Sequence, residues 1–294
     1  MPKASEKAVL VYDIGGSHVS AAVCMGNDYR LGPIVGAAHP AEATSEAFIA
    51  LLHRIGCEAS LGIEGVQGAE LAFPGPFDYE AGISRVTHKL PYMFGVNLRQ
   101  ALAARFGFDP GAVRFLNDAA AYLLGEVGAG AGRGFERVVC ITLGTGIGSG
   151  FAVDGKVVTT GAGVPPGGEI WDYPYAGGIL EETLSTRALQ AMYKSRTGML
   201  REVAAIAADA ASDPEAKAVF EEFGHRLGIA FRDVLGAFDP QVVVIGGGIS
   251  RSSHLFLPFA EQEVAGMRME LRISTLLDNA PLVGAGVAWF ESAK

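Results

Sequence analysis

Carboxylates set beside clusters of glycine pose the first chemical question. Asp13-Ile14-Gly15-Gly16-Ser17 places an acid and a hydroxyl around a double-glycine turn. Glycine lets backbone amides approach a phosphate closely, and a carboxylate is a hard oxygen ligand for Mg²⁺, held directly or through water. The same residues would also suit a tight hairpin whose Asp13 satisfies its own turn amides. Leu143-Gly144-Thr145-Gly146-Ile147-Gly148-Ser149-Gly150 alternates glycine through a second turn. A single hairpin does not need so many glycines, whereas a phosphate chain suits a turn lined with amides and a threonine hydroxyl. Neither a Walker loop nor a dinucleotide fingerprint is present, since no GxxxxGK[ST] occurs and the run continues as a strand. Asn117-Asp118 stands where a strand passes into a helix. Either residue would serve as an N-cap, but a cap needs only one. An aspartate there is held ionised by the helix N-terminus and can accept a proton from a substrate hydroxyl. Gly246-Gly247-Gly248 ends an apolar run as a strand-to-helix turn, or as a flat surface for an adenine or ribose.

Positioning these groups takes an alternation of strands and helices. Apolar runs predict strands at 7–12, His18–Cys24, Glu70–Phe73, Val113–Leu116, Arg137–Leu143, Phe151–Val153 and Val242–Ile245. Helical spacing falls at Ala43–Ile55, Asn97–Phe106, Leu180–Tyr193, Ala216–Phe238 and Gly284–Ser292. The strand, glycine turn and strand around Gly144 repeat those around Gly15. The expected class is α/β, with mixed sheets because of the hairpins.

Composition narrows the function. At 294 residues and 49% hydrophobic, the chain has room for two lobes and a large core. A net charge of −9 argues against a nucleic-acid partner, which normally leaves a basic footprint. No run approaches the roughly 20 apolar residues of a membrane helix, and the first residues lack a signal-peptide pattern, so a cytoplasmic protein is expected. Cys24, Cys57 and Cys140 are far apart among apolar neighbours and are expected as small buried hydrophobes. The histidines, His18, His39, His53, His88, His225 and His254, show no ligand spacing and suit surface or packing roles. The charged run at 215–232 reads as a solvated helix face.

Taken in order, Asp-x-Gly-Gly-Ser, Asn-Asp before a helix, Leu-Gly-Thr-Gly and a late Gly-Gly-Gly resemble the sugar-kinase, hsp70 and actin superfamily. Within it the likeness is greatest to glucokinase-like members of the ROK family (repressors, open reading frames, kinases), and it covers almost the whole chain. It includes Ala72-Phe73-Pro74-Gly75-Pro76-Phe77-Asp78, similar to the family's acceptor-side PGP segment, and the approach Leu90-Pro91 and Gly95-Val96-Asn97-Leu98 to the next helix.

The resemblance implies a two-lobed actin-like ATPase (ribonuclease H-like) fold, with ATP and a hexose in the cleft between lobes. It implies a small lobe over 1–116, onto which a last helix at about 282–294 packs back, and a large lobe over 117–294. It assigns Asp13, Gly15, Gly16 and Ser17 to Mg²⁺ and phosphate, Thr145 and Gly146 to the donor phosphates, and Gly246, Gly247 and Gly248 to the nucleoside. Asp118 becomes the general base, with Gly75, Asn117, Glu169 and Glu181 on the sugar. Gly168-Glu169-Ile170-Trp171-Asp172 departs from the family's Gly-Glu-x-x-His, because Asp172 stands in the histidine's place and can only accept where histidine also donates. The following loop, Tyr173 to Gly178, holds no cysteine, so no structural zinc is expected and Trp171, Tyr173 and Tyr175 are left to hold it. The implied activity is phosphorylation of a hexose hydroxyl, glucose to glucose 6-phosphate first. Alternatives are another sugar such as N-acetylmannosamine or fructose, polyphosphate as donor, or a non-catalytic sugar-sensing regulator. A homodimer is implied as well.

Overall fold

The computed structural model describes residues 7–26, 28–40, 43–87 and 90–292; His88 and the first six residues, read above, lie outside them. The chain divides into two compact units, one running to Ala129 and resuming at Asn279, the other spanning Gly130–Asp278.

In the first unit, β1 (Ala8–Ile14) and β2 (His18–Met25) form the expected hairpin, and β3 (Arg30–Leu31) and β4 (Val35–Ala38) both pair with β2. Helix α1 (Ser45–Ala59) follows, then β5 (Val66–Phe73) parallel to β1. The small hairpin β6 (Phe77–Asp78) and β7 (Ile83–Ser84) precedes α2 (Leu98–Phe106). Strand β8 (Val113–Asn117) lies parallel to β5 and passes directly into α3 (Asp118–Ala129), giving the order β3-β2-β1-β5-β8. Leu10, Tyr12 and Ile14 of β1 share one hydrophobic cluster with Phe48, Leu52 and Ile55 of α1 and Leu102 of α2, while Val9 and Val11 pack oppositely. The strand is therefore apolar on both faces, as a central strand must be. Capping sets the helix starts: the Thr44 hydroxyl accepts from the Ala47 N–H at 3.2 Å, and Asn97 does the same for Gln100 at 3.0 Å.

The second unit opens with β9 (Arg137–Leu143), β10 (Ile147–Val153) and β11 (Lys156–Val158). Asp154 and Gly155, at φ 49° and 76°, form the β10–β11 turn. The hairpin β12 (Pro174–Tyr175) and β13 (Gly178–Ile179) leads into α4 (Leu180–Leu184), α5 (Thr186–Thr197), α6 (Val203–Asp209) and α7 (Pro214–Leu235). Strand β14 (Val242–Gly246) runs parallel to β9, and α8 (Leu257–Glu263) precedes β15 (Glu270–Ile273), parallel to β14. The order β11-β10-β9-β14-β15 repeats that of the first unit, strand for strand and direction for direction. The repeat seen in the two glycine turns thus extends to five strands of each sheet, β4 being the added strand of the first.

Helix α9 (Ala280–Glu291) returns to the first unit, where Leu282, Ala285 and Phe290 pack on Val9, Val11 and Cys24. It also lies along α3 at close range. A Cβ at Gly284 would strike the Ala121 carbonyl, and one at Gly125 the Ala280 carbonyl. That packing places α3 with the first unit, so the division falls after Ala129 rather than at the strand–helix junction at 116.

Three further expectations are corrected. The helix expected over Leu180–Tyr193 is two helices, because Ser185 is extended at φ −107° and ψ 175°. Cys24 and Cys140 are buried, but Cys57 is exposed on α1, its Sγ 3.5 Å from Nε2 of His53 one turn earlier. The run at 215–232 is amphipathic, burying Phe220, Phe223, Leu227 and Phe231 of α7. Among the described residues no helix is long and apolar enough to cross a membrane.

Candidate active site

Parallel pairing aligns the first unit's site residues. Asp13 of β1 is opposite Ala72 of β5, Ala72 opposite Leu116 of β8, and Phe73 opposite Asn117. Asp13, the Pro74-Gly75-Pro76 segment and Asn117-Asp118 therefore all lie at the carboxyl ends of neighbouring parallel strands, where open α/β sheets bind ligands. Asp13 is half-buried there, while Gly16, Ser17 and Gly75 are exposed. The Gly15 N–H donates to the His18 carbonyl at 2.9 Å and closes the first turn.

Asn117 and Asp118 divide the work of the β8–α3 junction. Asn117 Oδ1 accepts from the N–H groups of Ala119 (3.0 Å) and Ala120 (3.1 Å), which makes Asn117 the cap of α3. Asp118 accepts from Ala119 through Oδ1 alone, at 2.9 Å. This half-buried carboxylate sits at the first turn of α3, at the positive end of the helix dipole. Because Oδ1 of Asn117 faces the helix, Nδ2 points away from it and donates to the Tyr79 hydroxyl at 3.3 Å. Tyr79 in turn donates to the Phe73 carbonyl at 3.1 Å, and a Cβ at Gly75 would lie 3.7 Å from its oxygen. Nothing in the sequence marked Tyr79, whose role depends on the β6–β7 hairpin carrying it back to β8.

In the second unit the two glycine clusters meet. Gly246 ends β14 opposite Thr142 of β9, and Gly247, at φ 79°, packs so tightly on Leu143 that a Cβ would strike its backbone. No left-handed φ occurs at Gly144, Gly146 or Gly148, and at Gly146 and Gly148 glycine serves space instead of handedness. A Cβ at Gly146 would sit 2.6 Å from Oε2 of Glu181, which accepts from the Ile147 N–H at 3.1 Å. Oε1 of Glu181 accepts from Arg187 at 3.1 Å, and the Thr186 N–H donates to the Gly144 carbonyl at 2.7 Å. The start of α4 and α5 is thus fastened to this turn, and Thr145 and Gly248 are exposed beside it.

The segment carrying Glu169 is attached to the same place. Ser149 Oγ of β10 donates to the Gly168 carbonyl at 2.7 Å and accepts from the Ile170 N–H at 3.1 Å. The Glu181 N–H donates to the Trp171 carbonyl at 3.0 Å. Glu169 is exposed, and its Oε2 accepts from the Trp171 indole at 3.0 Å. Asp172 is exposed in the same loop. Ring packing does not hold that loop as expected: Trp171 and Tyr173 are 41% and 38% exposed, and only Tyr175 packs on the core. Backbone bonds and the β12–β13 hairpin hold it instead.

The residues present suit nucleotide phosphates and Mg²⁺. At the second turn Thr145 offers an exposed hydroxyl and Gly248 has nothing within 4 Å of its Cβ position, whereas the space at Gly146 and Gly148 is filled by the chain's own Glu181 and Thr142. Asp13 offers one hard carboxylate at a strand end, and Mg²⁺ commonly takes one or two such ligands, with water and phosphate oxygens completing its shell. Among the described residues no three His, Cys, Asp or Glu side chains group as metal ligands.

Comparison with known proteins bears on the whole constellation. A glucokinase from Thermotoga maritima is 33% identical over 245 residues, which is 72% of this chain and 75% of that protein. An N-acetyl-D-glucosamine kinase from Aliivibrio salmonicida is 30% identical over 220 residues, 68% of this chain and 70% of that protein. The crystal structure of a ROK family glucokinase from Streptomyces griseus, in complex with glucose and AMPPNP, superposes with a TM-score of 0.73 at 26% identity, covering 95% of this chain and 97% of that one. The ROK family model matches residues 9–292, nearly the full length, and the chain belongs to the ROK family.

Proposed function

We propose that this sugar kinase transfers the γ-phosphoryl group of ATP to a hydroxyl of a hexose, glucose being the first candidate acceptor. The reading is carried by the division of labour at residues 117 and 118: with Asn117 capping α3, Asp118 is left to serve a substrate. Asn117 Nδ2 donates to a sugar oxygen, and Asp118 takes the proton of the attacking hydroxyl. Phosphoryl transfer asks little more of a protein than such positioning and electrostatic support. Thr145, Gly146 and Gly246–Gly248 take the nucleotide, and Asp13 would hold Mg²⁺, which when bound neutralises charge on the phosphoryl oxygens. Glu169 and Glu181 accept from sugar hydroxyls.

Replacing Asp118 by Asn tests the assignment. Turnover, followed by coupled ADP release, should fall about 10²–10⁴-fold, the usual worth of a general base, while calorimetric hexose binding persists. Turnover near that of the unaltered chain would refute it. Asp172 favours a second reading, in which the preferred acceptor is a hexose other than glucose, because an exposed carboxylate replaces a group that both donates and accepts. Rates across glucose, fructose, mannose, N-acetylglucosamine and N-acetylmannosamine decide between the two.

A further inference from the structure

Tyr79 belongs to a chain of hydrogen bonds with a single direction. Its hydroxyl proton goes to the Phe73 carbonyl, at 3.1 Å, so towards Asn117 the oxygen can only accept. Asn117 donates one N–H of Nδ2 to it at 3.3 Å while Oδ1 receives the two amides of α3. One N–H of Nδ2 is then left over. Both ends of the side-chain amide are fixed, and that remaining N–H acquires a definite aim.

The tyrosine is itself firmly held. Arg99 donates to its carbonyl at 3.2 Å and to that of Glu80 at 2.9 Å, and also reaches the Val113 carbonyl at 2.7 Å and the Phe115 ring. The Tyr79 ring lies on Phe77, with centroids 5.3 Å apart, and Phe77 lies on Phe73 and Phe115. Burial, with a contribution from the Asp118 carboxylate, pushes the Tyr79 hydroxyl above its ordinary range, so it keeps its proton for Phe73.

We infer that Tyr79 is a positioning residue for the acceptor sugar: by accepting one N–H of Asn117 it aims the other at a sugar oxygen, confining Asn117 to donation. The inference rests on the hexose-kinase reading. It extends that reading to a residue with no assigned part in holding sugar or phosphate, and it explains why the amide and the carboxylate side by side at 117 and 118 do not compete for one role. The acceptor it selects offers an oxygen to Asn117 and a hydroxyl proton to Asp118.

Tyr79→Phe removes only the hydroxyl and keeps the ring on Phe77. Losing one aimed hydrogen bond should weaken hexose binding, measured by calorimetry with the best acceptor of the panel, roughly 3- to 10-fold. The hexose KM should rise in parallel, with the ATP KM unchanged and kcat altered less. In an Asn117→Ser background, which keeps a capping oxygen but no amide, the same change should have no further effect. Unaltered hexose affinity in Tyr79→Phe, or an equal loss in both backgrounds, overturns the inference while leaving the kinase reading intact. If the unaltered chain neither binds nor phosphorylates any hexose of the panel, the kinase reading falls and this inference with it. A chain that binds a hexose and loses affinity only when Asn117 is present establishes the role.

Discussion

Glu181 shows how much one carboxylate can coordinate. Its two oxygens are committed to the Ile147 amide and to Arg187, so it spans the second glycine turn and the start of α5. A methyl group at Gly146 would meet Oε2 at 2.6 Å, and the carboxylate would have to withdraw. Gly146→Ala should therefore leave the melting temperature nearly unchanged, because the displaced group is the end of a flexible side chain. The KM values for nucleotide and hexose should nonetheless rise, about tenfold for a displacement under 1 Å. Steady-state kinetics beside a thermal melt checks this, and unchanged KM values would remove Gly146 from the site. Residues such as Asn117 and Gly146 were legible in the sequence because chemistry and position coincide there, at the end of an apolar run. Tyr79 was not, and Trp171 was read only as packing for its loop, since their partners, Asn117 and Glu169, are defined by a hairpin and a loop whose course no periodicity announces.

At the scale of elements, α3 depends on its contact with α9 as well as on its cap. The cap contributes about 1 kcal/mol. The glycine-notched contact is less forgiving, because at Gly284 the obstructing atoms are backbone. Gly284→Ala should cost about 3 kcal/mol in denaturant unfolding, a large part of the 5–15 kcal/mol that typically holds a domain. Gly248→Ala, with nothing within 4 Å of its Cβ position, is the control and should leave stability unchanged. Equal midpoints for the two variants would mean that α3 and α9 are not tightly apposed. Most long elements were readable: β1, β9 and β14 as apolar runs, α2 from Asn97 onward, α9 from its apolar stretch. The break at Ser185 was not, because the apolar spacing of Leu180, Leu184 and Leu189 continues across it. The two-residue strands β12 and β13 are too short to carry a period.

At the scale of the molecule, an ion pair joins distant parts of the sequence. Glu70 of β5 and Arg114 of β8 approach to 2.6 Å, and Arg114 lies over Trp289 and donates to the Ala288 carbonyl of α9 at 3.0 Å. Glu70 is 2% exposed. Burial pushes its carboxyl up to about 7 from the ordinary 4.5, outweighing the pull of Arg114 in the other direction. Between those two values the folded chain keeps a proton that the unfolded chain has released, so this group's contribution to stability declines as pH rises through that window. Glu70→Gln should abolish that decline: between pH 5 and pH 8 the unaltered chain loses more stability than the variant. Parallel denaturation midpoints would show that the ion pair, and not burial, governs Glu70. The repeated strand order could be glimpsed in two glycine turns, but its extent could not, because β15 and α8 carry little apolar pattern of their own.

The first unit is interrupted in sequence, since α9, which covers Val9 and Val11, follows the whole of 130–278. Protein halves ordinarily complete themselves in the order in which the ribosome releases them. Here the segment 130–278 leaves the ribosome whole before α9 does, so the second unit is complete in synthesis while the face of β1 that carries Val9 and Val11 still lacks the helix that packs on it.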